Sequence, residues 1–153
     1  MELCKPAAGS MYLIDTDTVI HALKGDQQVL KHFQETAAEP KALSVVTYGE
    51  LLYGALKSQR RKENLAKVRR LQEIFPILEV TNAIMETYAA IKTDIENRGK
   101  PLDDFDLVIA ATAISLGYRL VTNHERHFRR IEELKLENWT RRDPHAIRPN
   151  AVP

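Results

Sequence analysis

The chain has 153 residues, a length that suits one domain with a single hydrophobic core. Apolar residues make up 44% of the chain, and no apolar run approaches the roughly 20 residues that a membrane-spanning helix needs. The formal net charge of +1 argues neither for nor against a polyanionic partner. The single cysteine, Cys4, excludes an internal disulfide and a cysteine-based metal cluster, and it fits a cytoplasmic protein.

Short apolar runs alternate with helical patterns along the chain. Residues 1–10 lack an apolar segment of signal-peptide length and are predicted to be an appendage to the domain. The first strand is expected at 11–14 and the first helix at 16–23. The polar tail, 140–153, contains three prolines and is predicted to be disordered. The later strands are expected at 42–46, 77–80, 118–122 and, weakly, 136–139, and the later helices at 27–36, 51–56, 60–74, 83–97 and 103–117.

This alternation predicts the α/β class, with a parallel sheet covered by helices on both faces. In such sheets, ligands bind beyond the carboxyl ends of the strands, where the strand order reverses. The polar residues at or just after the predicted strand ends are therefore the first positions to consider for a site. They are Asp15, Ser44, Thr122 and Asn123.

Three groups of acidic residues each have a purely structural interpretation. Asp15 precedes a predicted helix and suits an N-cap, because its side chain can accept from an orphan amide of the first turn. Thr47 and Glu50 have the spacing of a capping box. Asp103 and Asp106 fall in the first turn of a predicted helix, where the helix dipole favours negative charge.

Considered together, the same carboxylates favour a metal site. Glu50 and Asp106 each adjoin an apolar run, so both side chains are expected to point inward. Several carboxylates in one cavity repel one another unless they are protonated or hold a cation. Because the set contains no histidine or cysteine, it suits a hard ion, Mg²⁺ or Mn²⁺.

One short segment also resembles a different family. "LIDTDTV" (13–19) is similar to the first motif of haloacid-dehalogenase-type phosphatases, in which the first aspartate is the nucleophile. On that interpretation, Asp15 attacks a phosphomonoester. Those enzymes place a later acidic pair at the end of a strand, whereas "DDFD" (103–106) opens a predicted helix here. The phosphatase is therefore kept as an alternative.

Four separated motifs resemble the PIN-domain ribonucleases of the VapC toxin type. They are "LIDTDTVI" (13–20), "SVVTYGELLYGALKS" (44–58), the segment 88–128 from "YAAIKTDIENRGKP" to "VTNHERHF", and "LENW" (136–139). They occur in family order and with family-like spacing across residues 11–139. The resemblance implies a PIN-like three-layer α/β/α domain with a short central parallel sheet of four to five strands.

Carried over by position, the resemblance implies that Asp15, Glu50 and Asp106 are the catalytic, metal-binding carboxylates. Asp17 occupies a place where the family often has asparagine, so its role stays open. Thr122 would orient a ligand or a water molecule.

The family commonly carries a fourth acidic residue just after the strand that ends near Thr122. This chain has Asn123 there, followed by a histidine and Glu125. The fourth ligand is therefore absent, replaced by Asn123 acting through water, or supplied by Glu125. Asp103 and Asp104 are expected to cap the helix rather than to bind metal.

The resemblance also implies an endoribonuclease toxin that a cognate antitoxin blocks and that forms a homodimer, with transfer RNA as a frequent substrate. Water activated by the metal would attack a phosphodiester and leave 5′-phosphate and 3′-hydroxyl ends. The candidate dimer contacts are the apolar helical faces at 51–56 and 88–95. A PIN-like module that binds without cutting is a further alternative, although all three core positions are acidic here.

An acidic pocket repels RNA, so binding must come from basic residues around it. The segment 57–70 contains seven basic residues and one acidic residue, and it is either a solvated helix face or a phosphate-binding rim. A second basic group follows the fourth predicted strand. His21 and His32 are expected on helix surfaces. The candidate phosphate contacts from both groups are Arg60, Arg61, Lys62, Arg126, Arg129 and Arg130.

Overall fold

The computed structural model describes residues 10–141, which form a five-stranded sheet flanked by seven helices. This arrangement confirms the predicted α/β class and the sheet of four to five strands. The strands are β1 (Tyr12–Ile14), β2 (Lys41–Ser44), β3 (Ile77–Leu78), β4 (Arg119–Val121) and β5 (Leu136–Glu137). The helices are α1 (Thr16–Leu23), α2 (Gln27–Glu35), α3 (Val45–Lys57), α4 (Arg61–Ile74), α5 (Asn82–Arg98), α6 (Asp104–Leu116) and α7 (Glu125–Phe128).

The two predicted terminal segments lie almost wholly outside the described residues. Only Ser10 of the appendage, and Thr140 and Arg141 of the tail, are described. Within residues 10–141, no helix combines the length and the apolar character that crossing a bilayer requires.

The sheet has the order β3-β2-β1-β4-β5, and every neighbouring pair is parallel. Leu13 in the central strand pairs with Ala42 of β2 on one side and with Leu120 of β4 on the other. The chain leaves β1 toward one edge and later returns to its other side, so the strand order reverses between β1 and β4. A crevice therefore opens at the carboxyl ends of these two strands.

The core has two parts, one on each face of the sheet. Successive residues of a strand point to opposite faces. Accordingly, Tyr12 and Ile14 pack among apolar residues of α1 to α4, whereas Leu13 packs among those of α5 and α6 and with Phe128 of α7. The chain thus forms three layers, and the crevice lies at one end of the middle layer.

The second strand is shorter than predicted, because the following helix begins earlier. Ser44 is the N-cap of α3, and its hydroxyl accepts from the Val46 backbone N–H at 3.1 Å. Thr47 therefore lies inside the helix, where its side chain is fully buried. The capping-box interpretation of Thr47 and Glu50 is therefore excluded.

The closing motif "LENW" contributes to the core through Trp139, which is fully buried. Its ring packs edge-on against Tyr12 and Phe33 and lies parallel to the His32 imidazole, with centroids 5.7 Å apart. His32 is only 9% exposed, so the expectation that it lies on a helix surface was wrong. His21 is partly exposed and pairs with Asp26 at 2.9 Å.

Candidate functional site

Asp15 lies where β1 gives way to α1, at the edge of the crevice. It is the N-cap of α1, and its Oδ1 accepts from the Thr16 backbone N–H at 2.8 Å. Its Oδ2 accepts from the Thr122 hydroxyl, also at 2.8 Å, just beyond β4. The residue is 3% exposed, and its burial, together with the charge of Asp17, raises the pKa of the carboxyl from 3.8 to about 7. Asp15 therefore caps a helix and also joins the ends of two strands.

Asp17 links the first turn of α1 to the loop after β4. Its Oδ1 accepts from the Thr18 backbone N–H at 2.6 Å. Its Oδ2 accepts from the Asn123 backbone N–H at 2.9 Å and from the Thr122 hydroxyl at 3.4 Å. The Oδ1 atom of Asn123 is buried and has no hydrogen-bond partner within residues 10–141. The loop therefore brings an unused oxygen acceptor next to the aspartates.

Glu50 approaches the crevice from α3. Its Oε1 accepts from the Thr16 hydroxyl at 2.8 Å, and the same hydroxyl lies 3.3 Å from the hydroxyl of Thr47. Burial raises the pKa of Glu50, and the negative charge of Asp106 raises it further. Thr16 therefore contacts both carboxylates, Asp15 through its backbone N–H and Glu50 through its hydroxyl.

Asp106 approaches the crevice from the first turn of α6, and its side chain is 25% exposed. Burial raises the pKa of its carboxyl, and the charge of Asp103 adds to that effect. Asp103 is the N-cap of α6, as predicted, and accepts from the Phe105 backbone N–H at 2.9 Å. Asp104 is exposed and pairs with Lys92 at 2.8 Å, so it lies outside the site.

The four carboxylates form one electrostatic unit at the carboxyl end of the sheet. The charge of Asp17 raises the pKa of Asp15, Glu50 and Asp106, and the charge of Asp106 raises the pKa of Asp15 and Glu50. This excess of negative charge is relieved when a carboxyl keeps its proton or when a cation binds. The residues Asp15, Asp17, Glu50 and Asp106 are called the acidic cluster below.

The chemistry of the acidic cluster suits a hydrated hard ion. Its side-chain donors are all oxygens, and the buried acceptor of Asn123 can take a hydrogen bond from a metal-bound water. Within residues 10–141, however, no three acidic or histidine side chains converge into a ready-made ligand set. Direct coordination of one ion by three of these carboxylates therefore requires them to draw closer together, whereas a hydrated ion can contact some of them through water.

Comparison with known proteins assigns a family to this architecture. The model of the PIN domain matches residues 12–134, which is most of the chain. The chain belongs to the PIN-domain family. It is similar to Ribonuclease VapC2 of Haemophilus influenzae, with 33% identity over 129 residues that span 84% of this chain and 97% of that protein. It is also similar to the tRNA(fMet)-specific endonuclease VapC of Shigella flexneri, with 30% identity over 84% of this chain and 98% of that protein.

Solved structures agree with this assignment. The crystal structure of VapBC2 from Rickettsia felis, bound to a DNA fragment from its promoter, contains a chain that matches this PIN domain with a TM-score of 0.80. Sequence identity is 29%, and the match covers 84% of this chain and 98% of that chain. The resemblance to VapC-type PIN domains is therefore confirmed, and it replaces the haloacid-dehalogenase interpretation.

The loop after β4 contains both candidates for the fourth metal ligand, Asn123 and Glu125. Glu125, a candidate fourth ligand, forms an ion pair with Arg141, and both side chains are largely buried. Asn123 is the residue whose backbone contacts the acidic cluster of the PIN domain. The ion pair engages Glu125 Oε2, so a metal ion would compete with Arg141 for that oxygen.

Two histidines beside the acidic cluster were not singled out from the sequence. His124 Nε2 lies 3.4 Å from Asp17 Oδ2, and His127 Nδ1 lies 3.8 Å from Asp106 Oδ2. The available signal was their spacing of three residues after a strand end, which places both on one side of a helical turn. That turn, α7, is only four residues long and has no apolar periodicity to predict it.

A groove of about 400 Å³ lies between α1, α3 and α4 of the PIN domain. Apolar side chains, including Ile20, Leu51 and Val68, line most of it, and Glu50 lies at its wall. Lys24 and Lys67 also line the groove. The groove therefore connects an apolar surface to the acidic cluster.

Proposed function

We propose that this PIN domain is a metal-dependent endoribonuclease and the toxin of a toxin–antitoxin pair. The observation that carries the proposal is that four carboxylates lie at the carboxyl end of the sheet, linked through the hydroxyls of Thr16 and Thr122 and near enough for their charges to raise the pKa values of Asp15, Glu50 and Asp106. The names of the similar proteins, ribonucleases and a tRNA endonuclease, support RNA as the substrate and transfer RNA as one candidate.

Asp15, Glu50 and Asp106 are proposed to hold Mg²⁺, or Mn²⁺ in its place, through oxygen ligands alone. When bound, the ion lowers the pKa of a water molecule and offsets negative charge on the phosphoryl oxygens. Attack by water, rather than by the ribose 2′-hydroxyl, leaves 5′-phosphate and 3′-hydroxyl ends. Asn123 is proposed to accept a hydrogen bond from a water molecule at its buried Oδ1.

Two threonines orient the proposed ligands. The Thr122 hydroxyl donates to Asp15, and the Thr16 hydroxyl donates to Glu50, each at 2.8 Å. A carboxylate that accepts such a bond has one oxygen fixed, which leaves the other oxygen in a defined orientation. Both threonines are therefore positioning residues.

The Thr16→Val variant tests this positioning role. Valine keeps the branched shape and removes the hydroxyl, so Glu50 loses the only side-chain donor that contacts it within residues 10–141. We expect RNA cleavage to fall by about tenfold, since losing an outer-shell partner of a metal ligand costs roughly 10- to 100-fold. Thr16→Ser keeps the donor and should retain most of the activity. Equal losses in the two variants would contradict the role.

The basic segment at the start of α4 is proposed to bind RNA phosphates. Arg60 pairs weakly with Glu63 at 3.8 Å, and Arg61 donates to the Leu56 carbonyl at 3.0 Å. Lys62 is exposed and makes no ion pair within the described part of the chain. Arg126 and Arg129 are exposed on and just after α7, so they supply a second basic group, separate from the α4 segment.

Removing two charges from this segment, with Arg60→Ala and Lys62→Ala together, is expected to weaken RNA binding by roughly tenfold at low salt. For single-stranded RNA, the slope of log affinity against log salt should become shallower by about 1.4, since each lost phosphate contact contributes about 0.7. Lys135→Ala is the matched control, because Lys135 is exposed and precedes β5, at the opposite end of the sheet. An unchanged slope in the double variant would show that Arg60 and Lys62 do not contact RNA phosphates and form only a solvated helix surface.

An antitoxin is the proposed protein partner, and the groove beside Glu50 is its proposed contact. The structural neighbours are VapBC complexes, which supports a partner of this kind. A homodimer is also proposed, through the face of α3 that leaves Tyr53 62% and Leu56 44% exposed. In the other candidate dimer face, 88–95, Ile95 is 1% exposed and Tyr88 and Ile91 are partly buried against the core, so little apolar surface remains there for a partner.

Cleavage of a transfer-RNA pool by the purified protein tests the proposed function. Reactions contain Mg²⁺, Mn²⁺ or chelator, and the new ends are mapped. We expect metal-dependent cuts that carry 5′-phosphates. Cleavage that persists in chelator, or cuts that leave 2′,3′-cyclic phosphates, would overturn the mechanism. A protein that binds RNA without cutting it under any of these conditions would be a binding module.

A further inference from the structure

An imidazole pair lies at the mouth of the acidic cluster. His124 is the N-cap of α7 and His127 lies within that helix, and their rings are nearly parallel, at 14°, with centroids 5.8 Å apart. One ring nitrogen of His124 lies 3.4 Å from Asp17, and one of His127 lies 3.8 Å from Asp106. The pair therefore spans from one side of the cluster to the other.

The ring nitrogens of this pair are available to a ligand. Within residues 10–141 the imidazoles make only looser carboxylate contacts, His124 with Asp17 at 3.4 Å and His127 with Asp106 at 3.8 Å. An imidazole carries at least one N–H donor in either tautomer and in its protonated form. The side chains of His124 and His127 are 57% and 58% exposed, so a molecule in solvent can reach them.

The imidazole pair lies where the acidic cluster would otherwise repel the phosphates of RNA. Four carboxylates lie at the crevice, and a phosphodiester that approaches them is repelled. His124 and His127 lie within 3.8 Å of Asp17 and Asp106 and are more exposed than either, so they present N–H donors where the carboxylates present only acceptors. Donors at the mouth can therefore hold a phosphate where the cluster alone would repel it.

We propose that His124 and His127 bind a backbone phosphate of the RNA next to the bond that is cut. This inference rests on the proposed ribonuclease function and adds the residues that hold the substrate. Each imidazole donates a hydrogen bond from an N–H to a non-bridging phosphate oxygen. No covalent bond to either imidazole forms or breaks. Because every RNA presents the same phosphates, the contact adds affinity without sequence preference.

Steady-state kinetics of paired variants test the inference. His124→Ala with His127→Ala is expected to raise KM by about tenfold and to leave kcat within about twofold, since each neutral donor contributes a few-fold in affinity. The increase should be the same for two RNAs of unrelated sequence. His124→Gln with His127→Gln keeps an N–H donor at each position and should recover most of the affinity. His21→Gln, on the far part of α1, is the matched control.

Binding of labelled RNA in chelator, measured by fluorescence anisotropy, separates this inference from the ribonuclease function. If the wild type cuts RNA and the alanine pair changes neither KM nor affinity, the inference fails and the ribonuclease stands. If the wild type binds but does not cut, and the alanine pair binds about tenfold more weakly, the phosphate contact stands without catalysis. A loss in kcat alone, or Zn²⁺ binding by the wild type that the alanine pair lacks without a change in RNA affinity, would assign the pair to metal binding and overturn the inference.

Discussion

Asp106→Asn is expected to reduce RNA cleavage by more than about a hundredfold. The substitution keeps the shape of the side chain and removes one anionic oxygen from the acidic cluster. Losing an outer-shell partner of a metal ligand already costs roughly 10- to 100-fold, so losing a ligand should cost more. The effect should fall mainly on kcat, because the metal stabilises charge that develops in the transition state.

Asp104→Asn is the matched control for this variant. It makes the same chemical change on the same turn of α6, but Asp104 is exposed and contacts Lys92 and Tyr88 instead of the cluster. Its cleavage rate should stay within about twofold of the wild type. If both variants cut RNA at nearly the wild-type rate, Asp106 is not a catalytic residue. If both lose activity to the same extent, the substitutions disturb α6 in general.

Asp15→Asn is expected to stabilise the metal-free protein above pH 7. In the folded state the pKa of Asp15 is about 7, whereas the unfolded chain has the ordinary value of 3.8. Between these values the folded state holds a proton that the unfolded state has released. Wild-type stability therefore falls as the pH rises from about 4 to 7 and then levels off. Asparagine does not ionise, so the variant lacks this loss.

The free energy of unfolding of Asp15→Asn is expected to exceed that of the wild type by on the order of 2 to 4 kcal/mol at pH 8, and by close to zero at pH 4. Urea unfolding of both proteins in chelator, from pH 4 to 8, measures it. Adding Mg²⁺ should then stabilise the wild type more than the variant, because only the wild type offers a full set of anionic ligands. A wild type that becomes more stable from pH 5 to 7, relative to the variant, would contradict the raised pKa of Asp15.

The sequence predicted the fold where local signals and packing agree. The bounds of α1 matched because Asp15 caps its start and Gly25 follows its end, and Gly117, in a left-handed conformation, ends α6. The strand β2 was overestimated because a buried strand and the first turn of a buried helix have the same apolar composition. The burial of His32 depends on Trp139, more than 100 positions away, which no local pattern reveals.

The candidate site was partly predictable for a topological reason. Parallel strands bring their carboxyl ends to one edge, which predicts that Asp15 and Thr122 meet, and they do, at 2.8 Å. Glu50 and Asp106 were selected because they adjoin apolar runs. The ion pair of Glu125 with Arg141 depends on where the chain returns after β5, and local spacing does not contain that information.

Mn²⁺ binding, followed by electron paramagnetic resonance with the metal alone and no RNA, decides whether these carboxylates form a metal site. We expect the wild type and Asp104→Asn to bind Mn²⁺ with similar affinity, and Asp15→Asn and Asp106→Asn to bind at least about tenfold more weakly. Equal Mn²⁺ affinity in all four proteins would contradict a metal site formed by these carboxylates.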